Sequence, residues 1–507
     1  MKNVVGFIKV GSLGLLIMFS VSACSIFGKK QKVSSTTGAA YGTRKSNLGF
    51  KPYDDRRLPN PPGMVFVQGG RTVLGSFEED LYGSRDNIER TVTVNSFWMD
   101  ETEITNSQWR EYVFYQYNPQ VLSLPKNIEI ENPNAKGQEG IAEPPEPFQP
   151  DYTGPTHSIS SSKMMEDIIP DDNVWTSNFS FNDVYAENYY SNPGFNDYPV
   201  VGVSWRQVVD FAKWRTDNVN LSLIFEMDFE DLPLAFQEEF VVINETTGNP
   251  ELAIGGQTIG DNNGEKQVIS VEDYDDFQQE VVEFINDPLN KREFIERGIY
   301  LPQFRLPNEA EWEYAAKATI GTVYLDENEE YGRIYPWDGR STRNPFGKRR
   351  GEQLANFKRG RGDYAGIAGD TNNDGSSIPE EVGRREPNDF NLFNMAGNVS
   401  EWVFDTYRPL SFGDFDDLNP VRKDGTGDSE TNYGWQSSQV ADSISFNPQL
   451  EYRSLVNDRS KVYKGGSWKD VAYWMAPGTR RFTDMDRATS TIGFRCAMIS
   501  IGDNVKK

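Results

Sequence analysis

The segment Glu386–Asp405 limits the possible folds of this chain more than any other stretch. It reads Glu-Pro-Asn-Asp-Phe-Asn-Leu-Phe-Asn-Met-Ala-Gly-Asn-Val-Ser-Glu-Trp-Val-Phe-Asp, and its large apolar residues follow neither a helical nor a strand period. This spacing predicts a buried, irregular path whose backbone carbonyls need partners. Gly397 permits backbone angles that other residues avoid. The segment is therefore either an ordinary turn between core strands or a loop whose oxygens hold a hard cation such as calcium.

Charge and the rarity of two residue types argue against several classes of function. The formal net charge of −25 disfavours a nucleic-acid partner, because phosphates require a basic surface. The cysteines are Cys24 and Cys496, and His157 is the one histidine. These counts argue against a disulfide framework, a histidine-centred catalytic triad and a transition-metal site built from several histidines.

The first residues have the pattern of a bacterial export signal. Lys2 and Lys9 precede the apolar run Val10–Val21, which is too short to span a bilayer. Val-Ser-Ala-Cys, ending at Cys24, resembles a lipobox, in which the cysteine receives the lipid. The alternative is a plain secretory signal with an incidental cysteine.

The lipobox reading predicts a lipoprotein signal peptide over residues 1–23, lipidation of Cys24 and a lipidated tether over residues 24–60. Ser25 stands where inner-membrane lipoproteins of well-studied bacteria carry aspartate. We therefore expect lipid anchoring in the outer membrane, with the protein facing the periplasm.

Local patterns predict several helices and strands. Met64–Val67 and Thr72–Leu74 indicate a hairpin around two glycines, Arg90–Trp98 indicates a strand, and Phe277–Phe284 indicates a helix. Three capping boxes, each followed by an apolar helical face, predict three further helix starts. The capping pairs are Thr105 with Gln108, Ser204 with Gln207, and Asn308 with Glu311.

Five blocks in order carry a family resemblance. Asn-x-x-Gly-Asn-Val-x-Glu-Trp, beginning at Asn394, resembles the signature of formylglycine-generating-enzyme-like domains, also called sulfatase-modifying-factor domains. The other blocks are Pro61–Ser76, Asp197–Trp214, Phe304–Ala318 and Lys464–Ala497. The resemblance implies an α+β, C-type-lectin-like irregular fold. We expect one large domain over residues 61–502, with long insertions near 118–196, 217–299 and 408–460.

The resemblance also implies structural calcium. Residues Asp370 to Glu381 match an EF-hand loop pattern, but Pro379 and the preceding glycines argue against an EF-hand. The family's first calcium site corresponds to Asn356, the Phe357 carbonyl, Asp374 and the Ser376 carbonyl. Its second corresponds to the Asn394 side chain, the Gly397 and Val399 carbonyls and the Glu401 carboxylate.

The family's catalytic centre has no counterpart in the sequence pattern. Oxygen-dependent members carry a cysteine pair that binds copper, whereas Ala476–Phe482, the matching stretch, contains no sulfur. The resemblance therefore predicts no catalytic residue, no copper or iron, and a protein that is not an enzyme. It places five residues along the family's substrate-peptide groove, with ordinary core and rim positions as the alternative. They are Trp468, Tyr473, Trp474, Arg480 and Arg481.

Three stretches resemble gliding-motility lipoproteins of Bacteroidetes more narrowly. They are Leu354–Gly369, Val462–Asp470 and Ile492–Met498. This resemblance implies a non-enzymatic outer-membrane component of the gliding-motility and type IX protein secretion machinery. Its expected partners are other lipoproteins of that machine, including a GldK-like ring protein and a GldN-like protein. The alternatives are a peptide- or glycan-binding lipoprotein and a formylglycine-generating-type oxidase.

Overall fold

The computed structural model divides the chain into two units, Met1–Arg56 and Arg57–Lys507, and the residues it describes belong to the second. The described residues are 58–75, 81–83, 86–117, 128–130, 168–225, 232–243, 250–254, 257–259, 267–269, 271–320, 333–345, 347–369, 376–408, 416–422 and 459–501. The predicted signal peptide, Cys24, most of the tether and Asp374 lie outside them.

The described residues contain both strands and helices. The strands are β1 Met64–Val67, β2 Gly70–Leu74, β3 Arg90–Val94, β4 Phe97–Asp100, β5 Ile128–Ile130, β6 Val241–Ile243, β7 Pro250–Ile254, β8 Gln257–Ile259, β9 Gln267–Ile269, β10 Ser400–Thr406, β11 Ser460–Lys464, β12 Arg481–Asp484, β13 Ile492–Gly493 and β14 Ala497–Ile499. The α-helices are α1 Asn106–Tyr117, α2 Asp183–Asn188, α3 Trp205–Phe225, α4 Leu234–Phe240, α5 Val271–Asn286, α6 Pro288–Glu296 and α7 Glu309–Lys317.

The strands form small sheets rather than one continuous sheet. The largest sheet of the described residues has four strands in the order β12-β11-β10-β13. Strand β13 runs parallel to β10, and the other neighbours are antiparallel. A second sheet has the order β1-β4-β14, and β2 pairs with β3. Smaller pairings join β5 with β9 and β7 with β6 and β8. This mixed helix and sheet architecture agrees with the α+β prediction.

The hairpin predicted around Gly69 and Gly70 is wrong, because β1 pairs with β4 while β2 pairs with β3. Gly69 lies so close to the backbone of Asn95 and Ser96 that a β-carbon would be 2.4 Å from it. The glycine lets the chain cross from one sheet to the other at that point. The strand predicted over Arg90–Trp98 is divided at the same place, into β3 and β4.

The three predicted capping boxes are present. Asn308 Oδ1 accepts from the Glu311 amide at 2.6 Å, and Glu311 Oε2 accepts from the Asn308 amide at 2.9 Å. The same reciprocal pairs join Thr105 with Gln108 and Ser204 with Gln207. Satisfying the first amides in this way fixes where α1, α3 and α7 begin.

Two apolar clusters pack against the four-stranded sheet. One places α7, through Trp312 and Ala315, against residues of β2, β3, β10 and β11. The other places the apolar faces of α1 and α3, including Trp109 and Phe211, against Trp402 of β10. Strand β10 is therefore packed on both faces, and it follows directly on the irregular segment that the sequence singles out.

A third apolar cluster lies within the region predicted as the second insertion. The helix expected near Phe277–Phe284 is longer, extending over all of α5. With α4, α6 and the end of α3 it encloses Phe236, Phe240 and Phe294. Among the described residues, no helix has both the length and the apolarity to cross a membrane.

Candidate functional site

The irregular segment forms what we call the asparagine loop, residues 388–399, which leads into β10. Three of its asparagines, Asn391, Asn394 and Asn398, have positive φ angles of 65°, 53° and 59°. Gly397 has φ of 78°, and a β-carbon there would lie 2.5 Å from the Asn356 carbonyl oxygen. Glycine at 397 thus allows the loop to press against Asn356, and the prediction of a buried irregular path is confirmed.

Asn356, predicted as a calcium ligand, has an unusual side chain. It is 1% exposed, and its Nδ2 donates to the Ile378 carbonyl at 2.9 Å. Its Oδ1 is buried and has no hydrogen-bond partner. A buried acceptor without a partner loses the free energy of its hydration. A cation bound to Asn356 Oδ1 would replace that lost interaction.

Of the other members of the first predicted calcium set, the structure describes Phe357 and Ser376, whereas Asp374 lies outside the described residues. Phe357 follows Asn356 and is 3% exposed, and Ser376 is 4% exposed. The Ser376 hydroxyl donates to Glu380 at 2.8 Å, and the predicted ligand of this residue is its carbonyl. An amide oxygen, two carbonyls and a carboxylate are the donors that calcium prefers. The donor chemistry and the orphaned Asn356 Oδ1 both fit this ion.

The second predicted calcium set fits less well. The carboxylate of Glu401 accepts from Arg495 Nε at 2.8 Å, from another Arg495 nitrogen at 2.7 Å and from Trp312 Nε1 at 2.7 Å. Asn394 donates its amide to Glu103 at 3.0 Å. Because Arg495 already balances the charge of Glu401, a calcium ion there would meet a fixed guanidinium. Within the described residues, no group of three or more His, Cys, Asp and Glu side chains could hold a metal ion.

On a different part of the domain lies a cavity of about 420 Å³, which we call the aromatic pocket. Its rings are arranged in a column in which Tyr82 stacks on Trp474 at 5.9 Å. The Arg481 guanidinium lies 4.7 Å from the Trp474 ring centre and 4.8 Å from that of Tyr463. The lining residues are Tyr82, Asp86, Asn87, Tyr407, Tyr463, Tyr473, Trp474, Gly478, Thr479, Arg480, Arg481 and Phe482.

Four of the five predicted groove residues line the aromatic pocket, but Trp468 does not. Trp468 is 6% exposed, stacks on Trp175 at 5.9 Å and donates to the Ser490 carbonyl at 3.0 Å. It is a core residue, because it packs in an apolar cluster with Trp175, Tyr189 and Val399. Tyr82 and Tyr407, which sequence reasoning missed, come from distant segments without a motif.

Beneath the aromatic pocket lies a buried network of charges. Glu309 contacts Arg480 Nε at 2.6 Å and Lys464 at 3.2 Å, and Lys464 also contacts Glu313 at 3.1 Å. Burial raises the pKa of Glu313, but Lys464 and Lys317 outweigh it and bring this pKa to about 2. Burial, followed by repulsion from Glu309, raises the pKa of Asp405 to about 6.

Cys496 is not one of the lining residues of the aromatic pocket. It is fully buried, and its amide donates to Asp100 at 2.8 Å. Burial raises the pKa of its thiol to about 12. A buried thiol with a raised pKa has little thiolate, which is the reactive form of cysteine.

One known protein family matches most of the chain. The model of the sulfatase-modifying factor enzyme 1-like domain matches residues 51–499. The chain belongs to this family. The match supports the predicted sulfatase-modifying-factor fold, while the C-type-lectin-like description stays a prediction.

Individual relatives are more distant. A mouse formylglycine-generating enzyme is 25% identical over 196 residues, covering 38% of each chain. A formylglycine-generating enzyme of Thermomonospora curvata is 36% identical over 196 residues, covering 38% of this chain and 48% of its own. The mouse inactive Cα-formylglycine-generating enzyme 2 is 31% identical over 199 residues, covering 38% of this chain and 42% of its own. The chain therefore spans less than half the length of these relatives. The solved structure of Treponema denticola variable protein 1 matches with a TM-score of 0.36 and 18% identity, over 86% of this chain and 95% of that one.

These relatives contradict the prediction that the chain is not an enzyme. That prediction came from the absence of sulfur in Ala476–Phe482, yet the mouse and Thermomonospora relatives are named as enzymes. The relative named as inactive shows that the family contains both kinds. A missing cysteine pair is thus too narrow a criterion for excluding enzymatic activity from this chain.

Proposed function

We propose that the aromatic pocket binds an extended segment of a partner polypeptide. The observation that carries this proposal is the column of Tyr82, Trp474, Arg481 and Tyr463 along one pocket wall. Grooves lined by Tyr and Trp rings bind extended, proline-containing peptides, because flat rings pack against a chain that is already extended. Ring contacts of this kind also tend to dominate binding free energy.

The two arginines of the pocket are already bound to other residues of the protein, which favours ligand contacts with the aromatic rings over contacts with charge. Arg481 donates to both carboxylate oxygens of Asp470 at 2.7 and 2.8 Å and to Ser400 at 2.9 Å. Arg480 is 5% exposed and binds Glu309 together with the carbonyls of Asp86 and Arg408. Both guanidinium groups are held by internal acceptors, so an incoming ligand meets chiefly aromatic surface.

We further propose that the chain is a GldJ-type outer-membrane lipoprotein of the gliding-motility and type IX secretion machinery. The lipobox ending at Cys24 and the three motility-lipoprotein-like stretches support this assignment. The partner bound by the aromatic pocket is then another lipoprotein of the machine, with a GldK-like ring protein and a GldN-like protein as candidates. The lipid on Cys24 holds the domain at the periplasmic face of the outer membrane.

Replacing Tyr82 by alanine is expected to weaken partner binding by about 2 kcal/mol, roughly thirtyfold. Tyr82 is 67% exposed, so the substitution removes a ring from the pocket wall without emptying the core. The measurement is affinity purification of the full chain from membranes, with quantitative mass spectrometry of the proteins that accompany it.

Phe181→Ala is the matched control, because Phe181 is also an exposed aromatic, at 84%, and does not line the pocket. Equal recovery of partners by Tyr82→Ala and the wild type would exclude the pocket as the binding site. Recovery of no other lipoprotein by the wild type would exclude the assignment to the machine. A Cys24→Ser chain that still fractionates with the outer membrane would exclude the lipid anchor.

We also propose that calcium binds the first predicted set and joins the segments carrying Asn356 and Ser376. Calcium would supply a fixed charge that satisfies several oxygens at once. Asn356→Ala is expected to lower calcium affinity at least about tenfold, since it removes one of the ligands. Isothermal titration of the calcium-stripped full chain would measure this, with Asn188→Ala on helix α2 as control. An unchanged affinity in Asn356→Ala would rule out this ligand set.

A further inference from the structure

Glu103 is a fully buried carboxylate that the sequence patterns do not single out. It is 0% exposed and lies beneath the asparagine loop. Its Oε2 accepts from Asn394 Nδ2 at 3.0 Å, and its Oε1 accepts from Asn398 Nδ2 at 3.0 Å. Both asparagine amides donate to Glu103, so its two oxygens determine which way each amide faces.

The side chain of Asn398 contacts both segments that carry the first calcium set, the one with Asn356 and the one with Ser376 and Glu380. With its nitrogen towards Glu103, Asn398 presents Oδ1 to the backbone amide of Glu380 at 2.8 Å. The same oxygen lies 3.5 Å from Asn356 Nδ2. The backbone amide of Asn398 also donates to the Asn356 carbonyl at 2.8 Å. Asn398 thus joins the segment carrying Asn356 to the segment carrying Ser376 and Glu380.

The orientation of the Asn356 amide follows from these contacts. Its nitrogen faces two acceptors, the Ile378 carbonyl and Asn398 Oδ1, which leaves Oδ1 on the opposite side as the buried oxygen without a partner. If the Asn398 amide reversed, its nitrogen would face the Glu380 amide and its oxygen would face the Glu103 carboxylate. Both contacts would oppose like groups and leave buried polar groups unsatisfied, which disfavours the reversed orientation.

We propose that Glu103 is a positioning residue for a divalent cation, which it serves by holding Asn398 so that Asn356 Oδ1 points into the binding site. This inference rests on the calcium proposal for Asn356 and deepens it. Glu103 contributes no ligand in this arrangement and acts through Asn398. Hydrogen-bond partners behind metal ligands orient the ligands in this manner, and their loss generally weakens metal binding.

The test is calcium titration of the full chain by calorimetry after the metal has been stripped. In Glu103→Gln the side chain keeps one oxygen and gains an NH₂ group, so one of the two asparagine amides faces another donor. Calcium affinity is expected to fall about 10- to 100-fold. Glu103→Asp keeps the carboxyl group but draws its oxygens back by about one carbon–carbon bond, and it is expected to lose affinity as well, because the positions of the oxygens hold Asn398.

Glu101→Gln is the matched control. Glu101 also accepts an amide of the asparagine loop, from Asn391 at 2.9 Å, but that contact does not reach Asn356. The calcium affinity of the Glu101→Gln variant is expected to stay within about twofold of the wild-type affinity. Thermal unfolding with and without calcium supplies a second readout, because weaker binding gives a smaller rise in Tm.

The outcomes separate the two proposals. Saturable calcium binding by the wild type, with affinity lost in Glu103→Gln and Glu103→Asp and kept in Glu101→Gln, supports the positioning role. Wild-type affinity in Glu103→Asp, with affinity lost in Glu103→Gln, would mean that the positions of the carboxyl oxygens do not matter and would overturn it. Wild-type affinity in both Glu103 variants would overturn it while leaving the calcium site intact. Absence of calcium binding in the wild type at millimolar calcium would overturn the calcium proposal and this inference together.

Discussion

Arg495→Met is expected to lower the free energy of unfolding by about 3–5 kcal/mol, because it leaves a buried carboxylate without its counter-charge. Arg495 is 0% exposed and Glu401 is 1% exposed, and two guanidinium nitrogens lie 2.7 and 2.8 Å from the Glu401 oxygens. Arg495 also donates to the carbonyls of Asp100 and Phe393, at 3.1 and 2.8 Å. The substitution therefore also removes hydrogen bonds to β4 and to the asparagine loop.

A double variant distinguishes the uncompensated charge from the lost packing. In Arg495→Met with Glu401→Gln both charges are absent, and the glutamine oxygen still accepts from Trp312 Nε1. The double variant is expected to be more stable than Arg495→Met alone, because removing both members of a buried pair costs much less than removing one. Urea unfolding at fixed calcium concentration, followed by tryptophan fluorescence, measures the difference.

Arg292→Met is the surface control for that measurement. Arg292 and Glu296 form an ion pair at 2.8 Å on helix α6, and the Arg292 side chain is 78% exposed. Pairs in this setting contribute about 0.3–0.5 kcal/mol. If Arg495→Met cost no more than Arg292→Met, the buried pair would not be what joins these strands.

Local chemistry predicted the parts of the fold that depend on a few neighbouring residues. The capping boxes at Thr105, Ser204 and Asn308 are present because each needs only a side chain and an amide three residues apart. The hairpin at Gly69 failed for the opposite reason. Strand β1 pairs with β4 and β2 pairs with β3, and Gly69 lies against Asn95 and Ser96. No local pattern contains these contacts, because the partners lie more than 15 residues away.

The two candidate sites differ in how far sequence could predict them. The asparagine loop is one continuous segment, so its irregular apolar spacing and Gly397 were sufficient to indicate a buried turn. The aromatic pocket draws Tyr82, Tyr407 and Trp474 from three separate parts of the chain. Glu103 was missed because its role depends on Asn398, almost 300 residues later. The positions of such partners follow from the family fold and not from residue type.

Strand β10 links the asparagine loop to the floor of the aromatic pocket. The loop ends at Val399, and β10 then carries Glu401, which binds Arg495 and Trp312. Four residues further on, Asp405 accepts from the Glu309 amide at 2.7 Å, and Glu309 holds Arg480 under the pocket. Because β10 is packed on both faces, the connection between the loop and the pocket floor is a buried strand and not an exposed segment.

The second large effect is expected from Phe236→Ala in the helical region of α4–α6. Phe236 is 0% exposed, and its ring lies 4.9 Å from Phe240, 5.8 Å from Phe284 and 6.0 Å from Phe294. Replacing a buried phenylalanine by alanine generally lowers the free energy of unfolding by about 3–5 kcal/mol, because apolar contacts are lost and a cavity is left behind. The surrounding cluster contains none of the residues of the two clusters that pack on β10.

The loss is therefore expected to be local. Hydrogen exchange should show that the amides of α4, α5 and α6 lose protection in Phe236→Ala, while those of β10 and β11 keep theirs. Leu289→Ala on α6 is the control, because Leu289 is 80% exposed and its removal empties no cavity. Equal loss of protection in β10 and in α5 would mean that the helical region and the pocket unfold as one unit. Protection lost from the helices alone would mean that this region can open while the pocket and the asparagine loop stay folded.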